Sequence, residues 1–189
     1  MKTDRIRLYI SIMNQEQLTA LCTSGVRPEA VYLDMYPALP ILQGGRVPQE
    51  LEQLRSDGVR LCIALPYIFR QEDALASLAD LKLVLQKSAD YGFEGVLVRN
   101  LEELAFLTEN GYKGSVLLDY GIYIWNHGAQ SFILYDESGG KRYEAFSVPL
   151  ELNGHEIREL IKKKEPEVPA ALCVYGRIPM MISASCLLK

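Results

Sequence analysis

The stretch Gly92-Phe93-Glu94-Gly95-Val96-Leu97-Val98-Arg99-Asn100-Leu101-Glu102-Glu103-Leu104 decides how this chain is read. Its run Gly95–Asn100 is apolar with no polar alternation before Arg99, the pattern of a strand covered on both faces. Asn100 then offers a side-chain oxygen to an orphan amide at a helix start. Glu103, three residues on, can return the bond. A strand followed at once by a capped helix is one βα unit, and the polar cap marks the strand's carboxyl end.

The unit recurs in both directions. Apolar runs of the same kind lie at Ile6–Ser11, Ala30–Met35, Arg60–Pro66, Ser115–Tyr120, Glu144–Val148 and Ala170–Tyr175. Asn14/Gln17 and Asn153/Glu156 repeat the cap spacing. Asn126 marks a further helix start, with Ala129 where the returning side chain would stand. Helical patterns cover Gln15–Thr23, with Leu18, Leu21 and Cys22 on one face, and Gln71–Asp90, with Leu75, Leu78, Leu81, Leu83 and Leu85 around a stripe. Shorter ones cover Leu101–Thr108 and Gly154–Lys163. Such alternation predicts an α/β fold with a parallel sheet.

No Gly-x-Gly-x-x-Gly follows the first strand, where Ile10-Ser11-Ile12-Met13-Asn14 stands, so a dinucleotide-binding open sheet is disfavoured. The expected form is a TIM-barrel-like (β/α) barrel. Seven strands fit in 189 residues, and a full barrel takes about 200–250 residues. The barrel is therefore expected to be incomplete, with about seven βα units in one domain over 1–189. Gly44-Gly45 and Gly139-Gly140 read as loop tips, and Ser131–Tyr143 as a small decorating hairpin. Lys162-Lys163-Lys164 reads as a helix end meeting its dipole.

Composition limits the partners. Apolar residues make up 49% of the chain, which suits a globular core. The net charge of −4 argues against a broad nucleic-acid surface. No apolar run reaches the roughly 20 residues of a membrane span, and the start Met1-Lys2-Thr3-Asp4-Arg5 lacks the apolar segment of a signal peptide. Cys22, Cys62 and Cys173 lie in apolar stretches and read as buried thiols of a reducing, cytoplasmic protein.

In a βα barrel the working side chains project from the carboxyl ends of the strands. Those positions hold Asp34 and Tyr36, Tyr67 and Arg70, Arg99 and Asn100, Asp119 and Tyr120, Glu151 and Asn153, and Tyr175 and Arg177. Carboxylates can act as acid, base or metal ligand, and arginine can clamp an anion. His127 and His155 sit at helix starts and read as surface residues. No Gly-x-Ser-x-Gly elbow or His-Glu-x-x-His motif is present. Cys173 and Cys186 fit no usual metal spacing.

The segment Val174-Tyr175-Gly176-Arg177-Ile178-Pro179-Met180-Met181-Ile182-Ser183-Ala184-Ser185-Cys186 resembles a signature of the peptidase U32 family, the collagenase-like proteases. It is most similar to the second, C-terminal-side barrel domain of long bacterial members. Ala30-Val31-Tyr32-Leu33-Asp34, the stretch 92–104, Asp119-Tyr120 with Asn126, and Pro149-Leu150-Glu151-Leu152-Asn153 resemble successive units of that family. The resemblance implies a TIM-barrel-like domain that is a piece of a longer chain. It also implies a hydrolase acting on peptide substrates at the rim. On that reading Glu151 or Asp119 is the base that activates water, and Arg99 or Arg177 steadies developing negative charge. Asp34, Arg99, Asn100, Asn126, Tyr175 and Arg177 then contact the substrate.

Some relatives carry a four-cysteine iron–sulfur cluster used for hydroxylation of RNA or a small molecule. Of its ligands Cys186 alone matches here, and Pro179 stands where another cysteine is expected. No cofactor and no metal site is therefore expected in this chain. The alternative reading is a non-catalytic, substrate-binding accessory domain beside a half that holds the cluster. The expected partners are a peptide, the remainder of a U32 chain, and a second copy along an open barrel edge. Membrane and nucleic acid are not expected.

Overall fold

The computed structural model describes residues 6–68, 74–135, 142–163 and 168–177. The elements run β1 (Tyr9–Ile12), α1 (Gln15–Ser24), β2 (Ala30–Asp34), α2 (Met35–Leu42), α3 (Gln49–Ser56), β3 (Arg60–Ala64), α4 (Ala74–Lys87), β4 (Gly95–Val98), α5 (Leu101–Glu109), β5 (Ser115–Leu118), α6 (His127–Leu134), β6 (Ala145–Ser147), α7 (Gly154–Lys163) and β7 (Ala170–Ala171). All seven strands are parallel and lie in chain order in one sheet. The sheet curls into an incomplete TIM-like βα barrel. Among the described residues β7 and β1 do not pair, so each leaves an edge.

Strand alternation sorts the core into two bodies. Val31, Leu33, Leu61, Ile63, Val96, Val98, Val116, Leu118 and Phe146 face outward and pack with the helices in the larger one. Ala30, Tyr32, Cys62, Ala64, Leu97, Leu117 and Ala145, with Tyr9, fill the concave side. At Gly95 a Cβ would lie 2.5 Å from the carbonyl oxygen of its partner Ser115, so β4 and β5 approach closely there.

The curl is fastened below this apolar layer. Arg60 on β3 donates to both oxygens of Glu144, which precedes β6, at 2.6 and 3.0 Å. Ser115 on β5 donates to the same carboxylate, and Arg7, ahead of β1, comes within 3.9 Å of it. One carboxylate thus joins the approaches to four strands across the concave floor. Burial raises its pKa, but the Arg60 and Ser115 hydrogen bonds and the charges of Arg60 and Arg7 outweigh that and hold it below the ordinary value.

The expected caps form, with a variation. Asn14, Asn100, Asn126 and Asn153 accept amides of Gln17, Glu103, Ala129 and Glu156 at 2.8 to 3.1 Å. Glu156 returns its bond to the Asn153 amide, whereas Gln17 and Glu103 return theirs to the residue before the cap, Met13 and Arg99.

Four local expectations change. Two helices, α2 and α3, lie between β2 and β3. Ser131 to Leu134 form the end of α6, and the Leu134 carbonyl accepts the Arg142 amide at 2.9 Å, so any hairpin is confined to the residues between them, of which 136–141 lie outside the described ones. Leu78 is exposed; Leu81, Val84 and Ser88, at helical spacing, form the buried line of α4 and its end. Cys173 is exposed beyond the two-residue β7, Cys22 is half-buried, and Cys62 is buried.

Candidate functional site

Side chains from separate strand ends meet at the mouth of the concave face. Asp34 ends β2, and its Oδ1 accepts the Tyr36 amide at 3.3 Å, which starts α2. Asp119 follows β5, and its Oδ1 accepts the Tyr120 amide at 2.8 Å. Their other oxygens turn to Arg99, which follows β4. Arg99 Nη1 lies 3.4 Å from Asp34 Oδ2, and Nε lies 3.4 Å from Asp119 Oδ2. Nη1 also donates to the Leu65 carbonyl at 3.0 Å. The guanidinium sits 4.2 Å from the centroid of the Tyr67 ring, a cation–π contact. The Tyr67 and Tyr120 hydroxyls are 2.7 Å apart and close this side of the mouth.

Arg99 is only 7% exposed, so its charge needs these partners. Two carboxylates against one guanidinium leave the trio with a formal charge of −1. Burial raises the Asp119 carboxyl above its ordinary value, opposed by the Tyr120 amide and by Arg99. Among the described residues Nη2 of Arg99 makes no hydrogen bond, and so remains a donor for a ligand. Gly121 belongs to the same construction: a Cβ there would lie 2.5 Å from the Arg99 carbonyl oxygen.

Other expected residues stand outside the trio. Asn100 is committed to structure: besides capping α5, its Nδ2 donates to the carbonyls of Tyr67 and Pro66 at 3.3 and 3.5 Å. Asn126 spends its amide oxygen on α6. Glu151 is exposed in the turn after β6, and no hydrogen bond or ion pair among the described residues joins it to the trio. Tyr175, 97% exposed, and Arg177 extend into solvent beyond β7. His155 is exposed on α7, and His127 Nδ1 lies 3.5 Å from Gln130 Oε1. Arg70, Pro179 and Cys186 lie outside the described residues.

Two features escaped the sequence reading. Tyr123 and Trp125, between β5 and α6, stack with centroids 6.1 Å apart, and both are partly exposed. Glu103, legible as a cap residue, is fully buried behind Arg99; nothing in its spacing marks that. No group of three metal-ligating side chains occurs among the described residues, and no described helix is long and apolar enough to cross a membrane.

Fold and mouth together define a βα-barrel-like domain with a charged, tyrosine-flanked site at the carboxyl ends of its strands. Comparison with protein-family models found no match, and searches against curated proteins and solved structures likewise found none.

Proposed function

We propose that this chain is a U32-type barrel domain that binds a peptide across the Asp34–Arg99–Asp119 mouth and hydrolyses it there. The observation that carries this reading is the convergence of those three side chains from β2, β4 and β5. Asp119 is the stronger of the two expected bases, because its buried carboxyl has a raised proton affinity and lies beside a donor, whereas Glu151 stands apart. Asp119 takes a proton from water as the water oxygen bonds to the scissile carbonyl carbon. Arg99 Nη2 donates to the carbonyl oxygen as negative charge develops. The proton then passes to the departing amine nitrogen as the C–N bond breaks. A cytoplasmic setting and contact with the remainder of a longer chain, or with a second copy, along β1 or β7 belong to the same reading.

One observation favours the accessory reading as well. Arg99 already faces two carboxylates, an arrangement that suits holding a ligand without cleaving it. Assay of the purified chain on a quenched-fluorescence peptide library separates the two. Turnover lost in Asp119→Asn and kept in Glu151→Gln supports hydrolysis as assigned. Saturable peptide binding without turnover, weakened by Arg99→Lys, gives the accessory domain. Neither turnover nor binding refutes both.

A further inference from the structure

Glu103 is the buried titratable group for which the proposed hydrolysis has no task. It lies in the first turn of α5 with 0% of its surface exposed. Its Oε2 accepts the Arg99 amide at 2.8 Å, while its own amide donates to Asn100 at 2.8 Å. Its Oε1 is buried and has no hydrogen-bond partner among the described residues. The same return bond is made at α1 by the exposed side chain of Gln17 to Met13 at 2.7 Å, and at α7 exposed Glu156 makes one to the cap residue Asn153 itself. Capping alone thus requires neither a carboxyl group nor burial. Of the three helices with a side-chain return bond, the buried version is the one whose strand end carries the arginine of the mouth.

We infer that Glu103 is a positioning residue, fixing through the Arg99 amide the corner from which the Arg99 side chain spans Asp34 and Asp119. The inference rests on the mouth being the functional site. Arg99 has a long, rotamer-rich side chain, and reaching two carboxylates and the Leu65 carbonyl requires a fixed starting point. Glu103 grips that point from the helix side, and Asn100 ties the same corner to the Tyr67 loop. Burial lifts the Glu103 carboxyl to about 8, against the amides of Arg99 and Asn100 and the Arg99 charge. Burial thus favours the neutral form, which carries no charge to compete with Asp34 and Asp119 for the guanidinium. A neutral side chain of equal length suffices for the role.

The test uses nitrogen-15 spectra of the Arg99 Nε–H in the whole chain, assigned by its disappearance in Arg99→Lys. In Glu103→Gln the resonance should keep its position and slow solvent exchange. In Glu103→Asp, which falls short of the Arg99 amide, it should move toward free arginine and exchange about tenfold faster, with backbone dispersion intact. Glu103→Ala should do the same if it folds. An unmoved resonance in Glu103→Asp overturns the inference, as does its loss in a folded Glu103→Gln. Because no substrate enters, this result stands apart from the hydrolysis assay. Where turnover is found, Glu103→Asp should lower kcat at little changed KM, and Glu103→Gln should restore it.

Discussion

Replacing Glu144 by alanine cuts at once the fastenings that Arg60, Ser115 and Arg7 make across the floor of the sheet. Removing one partner of a fully buried pair costs about 3–5 kcal/mol, because the other charge is stranded. Here the Glu144 and Arg60 side chains keep 16% and 24% exposure, and water relieves part of that, leaving about 2–4 kcal/mol. Glu144→Gln keeps the volume and an acceptor but loses the charge, and about 1–2 kcal/mol is expected. In a domain of this size each kcal/mol moves Tm by about 2–4 °C, so the alanine variant should melt roughly 4–16 °C lower. Urea titration followed by the fluorescence of Trp125, the chain's single tryptophan, and by circular dichroism measures both. The acid limb adds a sign. The Glu144 pKa is lowered on folding, so its contribution is present above the unfolded value near 4.5 and is lost as pH falls through the folded one. Wild type should therefore lose stability more steeply in acid than Glu144→Gln. An alanine variant within about 0.5 kcal/mol of wild type, or parallel acid limbs, would refute the fastening.

Gly121→Ala should destabilise by about 1–3 kcal/mol through the clash with the Arg99 carbonyl and should weaken any ligand affinity of the mouth, read by denaturation and binding together. Asn153→Ala removes the cap of α7 and should cost about 1 kcal/mol in urea unfolding, leaving the mouth untouched. Cys173 should react with a thiol reagent within the mixing time of a standard assay. Cys62, buried and raised to about 12, should stay unlabelled until the chain unfolds.

Local chemistry made most of the strands and four of the helices readable. Val96, Leu97 and Val98 are covered on both faces, and the Asn100 cap marks where the strand stops. α2 was hidden because Met35-Tyr36-Pro37-Ala38-Leu39-Pro40-Ile41-Leu42 has almost no polar residue to set a helical period and carries Pro40 inside the helix. α3 has a period, in Leu51 and Leu54, but it is short and opens on Pro48 without a side-chain cap. In the mouth, Asp34, Arg99 and Asp119 were each legible as strand-end residues. That they would share one mouth followed from the expected barrel, but that these three would pair did not, since it depends on the curl that lets β4 reach past the end of β3. Glu151 shares their strand-end position, yet its turn leaves it in solvent. The burial of Glu103 is likewise a product of packing, because the same spacing leaves Glu156 exposed.

The apolar layer of Tyr32, Cys62, Leu97 and Leu117 separates two charged tiers, the ring around Glu144 and the trio around Arg99. Four residue steps separate Arg60 from Ala64, about 13 Å of rise, and buried side chains of the concave face lie between the two levels. Foundation and workplace are therefore insulated from each other. Substitutions in one tier should combine additively with those in the other, so the mouth can be rebuilt for a different ligand without loosening the base that gives the sheet its shape.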